Sequence, residues 1–454
     1  MLPMSKKSEL CSDNQDRNFM IRKLLFTGVI GCINLIPIIA QQQQMLTIDE
    51  IFNLADANSK SLKVHDLAVA EATQAVKVAQ SDKLPSIEAN LSFSYIGNGW
   101  MCDRDFSNGI KAPMPHFGNN FALKATQAIY TGGAISTGIK MSELQKKVAE
   151  AELENDKQNI RFMLAGHYLD LFQLHNQKRV YQKNIEQTKM LIEEIKSAFE
   201  QGTALKSDIT RYELQLENLE LALTNVSNRI KISNRQLVTT IGLDTDIEIL
   251  PDTTLLSVGI DKRNELYWQD ERENAPVMQM ANLGVKLSKK QQDLIRAERR
   301  PTIGLMAAAN FDGPILIEVP PIDKNFAYWF VGVNVTYKFD ALFKKNKKLK
   351  QAKLTSLKAQ EQRRLADEQL SNGINTAYIQ LEEANTRLRS KEKSVQLAHE
   401  NYDIVHSRYL NGLSLVTDML DASNIQLSSE LELANAQIGI LYQYFMLKKT
   451  VGKL

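Results

Sequence analysis

Two stretches of the chain alternate strictly between apolar and polar residues. Ile87, Ala89, Leu91, Phe93 and Tyr95 are separated by Glu88, Asn90, Ser92 and Ser94; Val331, Val333, Val335, Tyr337 and Phe339 are separated by Gly332, Asn334, Thr336 and Lys338. A period of two predicts strands with one apolar face. Phe121 to Tyr130 and Ile303 to Phe311 repeat the pattern with lapses at Gln127 and Met306. Four strands of about 9 to 11 residues follow, the length of a strand that crosses hydrocarbon at about 45°. Two hairpins packed on a soluble core would show the same alternation. Aromatic residues near the strand ends (Tyr95, Trp100, Phe121, Tyr130, Trp329) favour the membrane. The connectors, Ile96 to Asn120 and Asp312 to Asn325, carry the Gly, Pro, Asn and Asp of exposed loops.

Elsewhere the pattern is helical. No proline lies between Pro115 and Pro251, and none follows Pro321. Ala134 to Phe199 predicts a helix of about 100 Å at 1.5 Å per residue. Gln201-Gly202-Thr203 supplies a turn, Ser207-Asp208 a cap, and a return helix runs to Thr240 and stops at Gly242. The second block repeats this: Lys344 to Tyr409 outward, a turn at Asn411-Gly412, a cap at Thr417-Asp418, and a return to Lys449. Tyr168 and Tyr378, Gly202 and Gly412, and Asp208 and Asp418 are each 210 positions apart, which indicates a tandem duplication of half the protein. Before each block a capped helix ends in proline. Thr47-Ile48-Asp49-Glu50 forms a capping box and its helix closes at Lys83-Leu84-Pro85; the counterpart runs from about Asn264, across Pro276, to Arg300-Pro301. The organisation expected is therefore repeat one over 45–242, a connector over 243–263 and repeat two over 264–454.

The N-terminal segment has a different character. Arg22 and Lys23 precede an apolar run from Leu24 to Ala40 that is too short to span a bilayer and gives way to Gln41–Gln44. It reads as a signal peptide cleaved after Ala40, with residues 1 to 19 as an upstream extension. Val29-Ile30-Gly31-Cys32 also fits a lipoprotein processing box, and an uncleaved anchor is a third possibility. With the leader removed, Cys102 stands alone, so neither an internal disulfide nor a cysteine zinc site can form. The 55 basic and 53 acidic residues give a net charge of +2, too little to recruit nucleic acid through a global field.

Four strands leave two open edges, and unpaired backbone groups in hydrocarbon cost several kcal/mol each. Closure must come from other copies. Two would give eight strands around a filled interior, whereas three give twelve and leave a lumen. The long helices likewise bury their apolar stripes only against long neighbours.

The capped helix with Leu84-Pro85-Ser86, its repeat at Arg300-Pro301-Thr302, the paired turns Gly202 to Asp208 and Gly412 to Asp418, and Asp418-Met419-Leu420-Asp421-Ala422 with Leu431-Glu432-Leu433-Ala434-Asn435-Ala436 together resemble TolC-type outer membrane efflux proteins over essentially the whole mature chain. The resemblance implies a mainly α fold with a small β part. Duplicated long-helix hairpins would form an α-helical barrel in the periplasm, and four strands per chain would contribute to a trimeric 12-stranded barrel in the outer membrane. An equatorial collar would come from Asp244 to Arg272 and the C-terminal end. It implies a passive, gated exit duct of a tripartite efflux or type I secretion system, a homotrimer in outer membrane lipid. Its partners would be a periplasmic adaptor (membrane fusion) protein and an inner-membrane pump of RND or ABC type.

By the same resemblance the pore gate falls on Asp418, Asp421 and Tyr409. Asp418 and Asp421 share one helix face, and threefold symmetry would make them rings of like charge that attract cations. Asp418 also has a plain reading as a helix cap matching Asp208; Asp421 has none. Ser414 departs from members that place a basic residue there to latch the tip. Gly202, Leu205, Asp208, Gly412 and Leu415 fall on the adaptor-docking turns, or are simply turn glycines and core leucines.

No catalytic site, metal site or cofactor is expected. His167 with His175, and His399 with His406, lie two helical turns apart, too far to share a metal. Thr131-Gly132-Gly133 sits where strand turns into helix, and no phosphate loop or nucleophile elbow is present. Lys344-Lys345-Asn346-Lys347-Lys348 reads as a solvated helix start beneath the membrane, with a lipid-headgroup or nucleic-acid patch as the other reading. The competing function is a periplasmic coiled-coil scaffold without a pore.

Overall fold

The computed structural model describes residues 43–252, 263–318 and 321–454. The signal peptide, the Cys32 box and part of the 243–263 connector lie outside the described residues. From Gln43 to Leu454 the chain is one compact unit.

β1 (Gln43–Leu46) leads into α1 (Ile48–Asn58) and α2 (Lys60–Ser81). The capping box forms: Glu50 N–H donates to Thr47 Oγ1 at 3.3 Å, and the Glu50 carboxylate accepts from Thr47 N–H at 2.8 Å. One helix to Lys83 was expected. Two form instead, because Ser59 adopts an extended ψ of 124°. Then come β2 (Ser86–Tyr95), a short hairpin of β3 (Gly99–Met101) and β4 (Ile110–Ala112), and β5 (Phe117–Tyr130). α3 (Ala134–Glu200) and α4 (Lys206–Ile241) complete the half, followed by β6 (Glu248–Pro251).

The second half begins with α5 (Glu265–Asp270), a short 3-10 turn and α6 (Pro276–Ala297). Pro276 opens a helix rather than sitting within one. Ala275 before it is extended at ψ 137°, as the proline ring demands. β7 (Thr302–Gly313), β8 (Phe326–Thr336), α7 (Ala341–Leu410) and α8 (Val416–Thr450) follow. β8 starts earlier than the alternation suggested and stops before Tyr337 and Phe339.

The long strands form one antiparallel sheet in the order β2-β5-β7-β8, so the two halves join at β5–β7 and the outer strands are open edges. The register carries one face across all four strands. Leu91 lies opposite Phe121, Phe121 opposite Phe311, and Ile87, Ala125, Ala307 and Val331 form a second row. On the other face Glu88 lies opposite Lys124, and Asn120 Nδ2 donates to the Asp312 carboxylate. Among the described residues nothing covers the apolar face: Trp329 is 77% and Val333 63% exposed. None of the helices among the described residues is long and apolar enough to cross a membrane.

Below the sheet α3 and α7 are the longest elements. α2 and α6 flank their sheet-side halves, and α4 and α8 their distal halves. Where these partners change over, a core gathers Ile51, Phe52, Leu164, Tyr168, Leu237, Ile249, Ile374 and Leu441. β1 and β6 pair in parallel here, Gln43 opposite Glu248. Asn234 holds β6 from α4, donating to Ile247 O at 2.7 Å and accepting from Ile249 N–H at 2.8 Å. Tyr168 Oη donates to Leu46 O at 2.8 Å and accepts from Asp252 N–H at 2.7 Å. Burial pushes its phenol up to about 12. The C-terminal Leu454 docks on the same girdle, its N–H donating to Gln158 Oε1 and its carbonyl accepting from Arg161.

Candidate functional site at the hairpin tips

Each helical hairpin closes with the same backbone device. Gly202 (φ 78°) and Gly412 (φ 70°) adopt left-handed conformations that a side chain would strain. Thr203 N–H donates to Ala198 O at 2.9 Å and Leu413 N–H to Arg408 O at 2.8 Å, the wide bond of a Schellman turn. The return helices are capped by leucines, not by Ser207-Asp208 or Thr417-Asp418. Leu205 and Leu415 are the N-caps and have no side-chain acceptor to offer. The aspartates three residues on reach back: Asp208 Oδ2 accepts from Leu205 N–H at 3.1 Å and Asp418 Oδ2 from Leu415 N–H at 3.0 Å. Ser414 Oγ also donates to Asp418 at 3.1 Å. Asp418 therefore serves its own turn, from three residues inside the helix and not from the cap position.

Beneath the turns the two hairpins share a core of Leu191, Ile192 and Ile195 from α3, Tyr212 from α4, and Val416 and Met419 from α8. Tyr402, Val405 and Tyr409 of α7 pack on it. Burial raises the Tyr409 phenol, and the Asp208 and Glu194 charges raise it further. Tyr212 is raised by burial above all, and its hydroxyl has no hydrogen-bond partner.

Asp421, one turn beyond Asp418, is exposed, as is Asp418. The two carboxylates share a helix face and differ in freedom: Asp418 is tied by two hydrogen bonds, while Asp421 has no partner among the described residues. Leu205 and Leu415 stand 67% and 70% exposed in the protomer, and Leu410 and Leu413 are exposed too. The site thus divides. Tyr409 packs on the core that the two hairpins share, Asp208 serves its own turn, the acids of α8 line an open face, and the turn leucines are exposed.

Two clusters of contacts escaped the sequence. His406 Nε2 lies 3.6 Å from Glu194 Oε2, bridging α7 to α3, and its ring stacks on Tyr402. Higher up, Glu430, with its side chain only 10% exposed, gathers Lys183 Nζ at 2.8 Å and His399 Nε2 at 3.0 Å. The seven-residue spacing of the histidines was visible, but their partners come from other helices and leave no local signal.

The family model described as "Outer membrane efflux protein" matches residues 51–243 and 268–453. Among curated proteins, the outer membrane efflux protein BepC of Brucella suis biovar 1 (strain 1330) is 18% identical over 332 residues, spanning 73% of this chain and 72% of BepC. Among solved structures, the outer membrane protein VceC of Vibrio cholerae superposes with a TM-score of 0.72 at 16% identity, covering 89% of this chain and 96% of VceC. The open state of the Neisseria gonorrhoeae MtrE outer membrane channel gives a TM-score of 0.71 at 16% identity, covering 89% of this chain and 88% of MtrE. At these identities the structural likeness establishes the fold.

Proposed function

The chain belongs to the outer membrane efflux protein family and acts as an outer membrane efflux channel; from that premise we propose a homotrimeric duct whose exit barrel is shared by three chains and whose entrance is gated at the hairpin tips. The observation that carries this is the uncovered apolar face of an open four-stranded sheet, mounted on helices about 100 Å long. A sheet with bare edges and a bare apolar face persists in hydrocarbon only when other copies close it. The repeats 45–242 and 264–454 would then supply alternate segments of one wall. Exposed apolar residues on the outer helix surfaces support lateral assembly, for Leu214, Leu221 and Ile232 of α4, and Leu365, Ile379, Leu397 and Ile404 of α7, each fall on one stripe. A soluble scaffold would have no use for the face that carries Trp329, Val331 and Val333.

At the tip, Asp418 and Asp421 would form two acidic rings around the axis, the Asp421 ring one turn above the other and free to bind cations. Tyr409, packed on the core that both hairpins share, would tie the second hairpin to the first. With Ser414 in place of a basic residue, the tie across this seam also runs through His406 and Glu194. The exposed turns with Leu205 and Leu415 would dock a periplasmic adaptor, which couples the duct to an inner-membrane pump of RND or ABC type.

Planar-bilayer recording of the purified protein tests the gate. D418N/D421N should raise conductance and weaken block by divalent cations, and unchanged traces would remove these residues from the gate. L205E/L415E should lose binding to the cognate adaptor while conductance stays as in the wild type. Retained binding would move the docking surface elsewhere.

A further inference from the structure

The sheet-side end of α7 has a charge distribution that helix physics disfavours and that a duct does not require. From Ala341 to Lys358 there are seven lysines and no carboxylate, in a chain whose net charge is only +2. The corresponding start of α3, Ala134 to Ala151, has three lysines balanced by two glutamates, so the architecture itself makes no such demand. Cations at a helix N-terminus oppose the macrodipole. Lys344 with Lys348, and Lys347 with Lys350, are repelling neighbours at four and three residues. Asp340 holds Lys344 at 3.1 Å and Glu298 contacts Lys345, but no ion pair engages Lys347, Lys348, Lys350 or Lys353 among the described residues. A local rule broken this often points to a counter-charge from outside the chain.

What lies next to these lysines identifies it. β8 ends at Thr336, and Tyr337 and Phe339 then stack edge to face at 4.9 Å. Phe339 is 72% and Phe343 65% exposed. Phe343, Lys347, Lys350 and Leu354 fall at i, i+4, i+7 and i+11 and are all exposed, so one face of α7 presents an aromatic ring and then, one and two turns deeper, two free ammonium groups. Apolar rings followed by cations match the order of acyl chain and phosphate at a bilayer surface. We propose that this face of α7 binds the headgroups of anionic phospholipids in the periplasm-facing leaflet, fixing the depth at which the barrel sits. The proposal rests on the reading of the sheet as a membrane wall.

Native mass spectrometry of the full-length protein in mild detergent, offered equal phosphatidylglycerol and phosphatidylcholine, tests it. The wild type should retain phosphatidylglycerol preferentially, and K347Q/K350Q should lower that preference by about fivefold for each lysine removed. K231Q/K393Q, far from the sheet, should leave it intact. Equal retention of both lipids by the wild type, or an unchanged preference in K347Q/K350Q, would overturn the proposal. So would a change in the ion selectivity of K347Q/K350Q channels, which would place these lysines in the lumen and on dissolved anions. Wild-type conductance in K347Q/K350Q with altered lipid retention separates the lipid site from the duct itself, whereas a wild type that forms no channel would remove the duct reading.

Discussion

The two ends of this molecule satisfy their apolar residues in opposite ways. At the tip, Ile195, Tyr212 and Met419 are buried by side chains of the same chain, and both repeats contribute to one small core. At the sheet, Leu91, Phe93, Trp329 and Val333 stay largely exposed even where they touch a strand neighbour, as Phe93 touches Phe121. The tip is therefore a feature of a single chain, whereas the sheet is completed only by lipid and by neighbouring strands. One polypeptide thus carries a region whose stability is intrinsic and a region whose stability is conditional on its surroundings.

That contrast can be broken by substitution at either end. Ile195→Ala should cost about 2–5 kcal/mol of local stability at the tip. The loss should appear as faster hydrogen exchange near both turns, in detergent and in membranes alike, with barrel insertion unaffected. Protection unchanged from the wild type would mean that neighbouring subunits, not the shared core, hold the tip. Val333→Arg should cost about 2–4 kcal/mol at mid-membrane. Its helices should keep their circular dichroism while heat-resistant trimers in outer membrane fractions decline; normal insertion would show that this face does not meet lipid.

The girdle between the two ends offers a smaller, pH-dependent effect. Burial holds the His175 imidazole below its ordinary value of 6.5, and Nε2 has no hydrogen-bond partner. The unfolded chain then binds a proton there before the folded one does, so folded stability is full above about 6.5 and declines as pH falls below it. His175→Gln should flatten that acid limb in thermal melts between neutral pH and pH 5. An identical limb in the variant would assign it to other groups.

The sequence was most informative where one physical rule governs many consecutive residues. Period two marked all four strands, since every second residue meets lipid, and the proline-free blocks with Gly202 and Gly412 marked the hairpins to within a few residues. It was least informative where a pairing is long-range or an exception is local. β1 and β6 are four residues each and 205 positions apart at Gln43 and Glu248, too short to show a period. The Ser59 break, the leucine caps and the partners of His399 and His406 depend on what stands opposite, which composition does not encode. The gate assignment rests on resemblance alone, and the structure adds that Asp418 is engaged by its own turn while Asp421 has no partner among the described residues.

The self-closed turns have a mechanical corollary. Each loop is locked by its own glycine, its own aspartate and its own backbone, so neither can fray to make way for cargo. Under the gating proposed for the tips, widening would come from whole hairpins sliding past one another, as the blades of an iris do, with Ile195 and Met419 as the bearing surface.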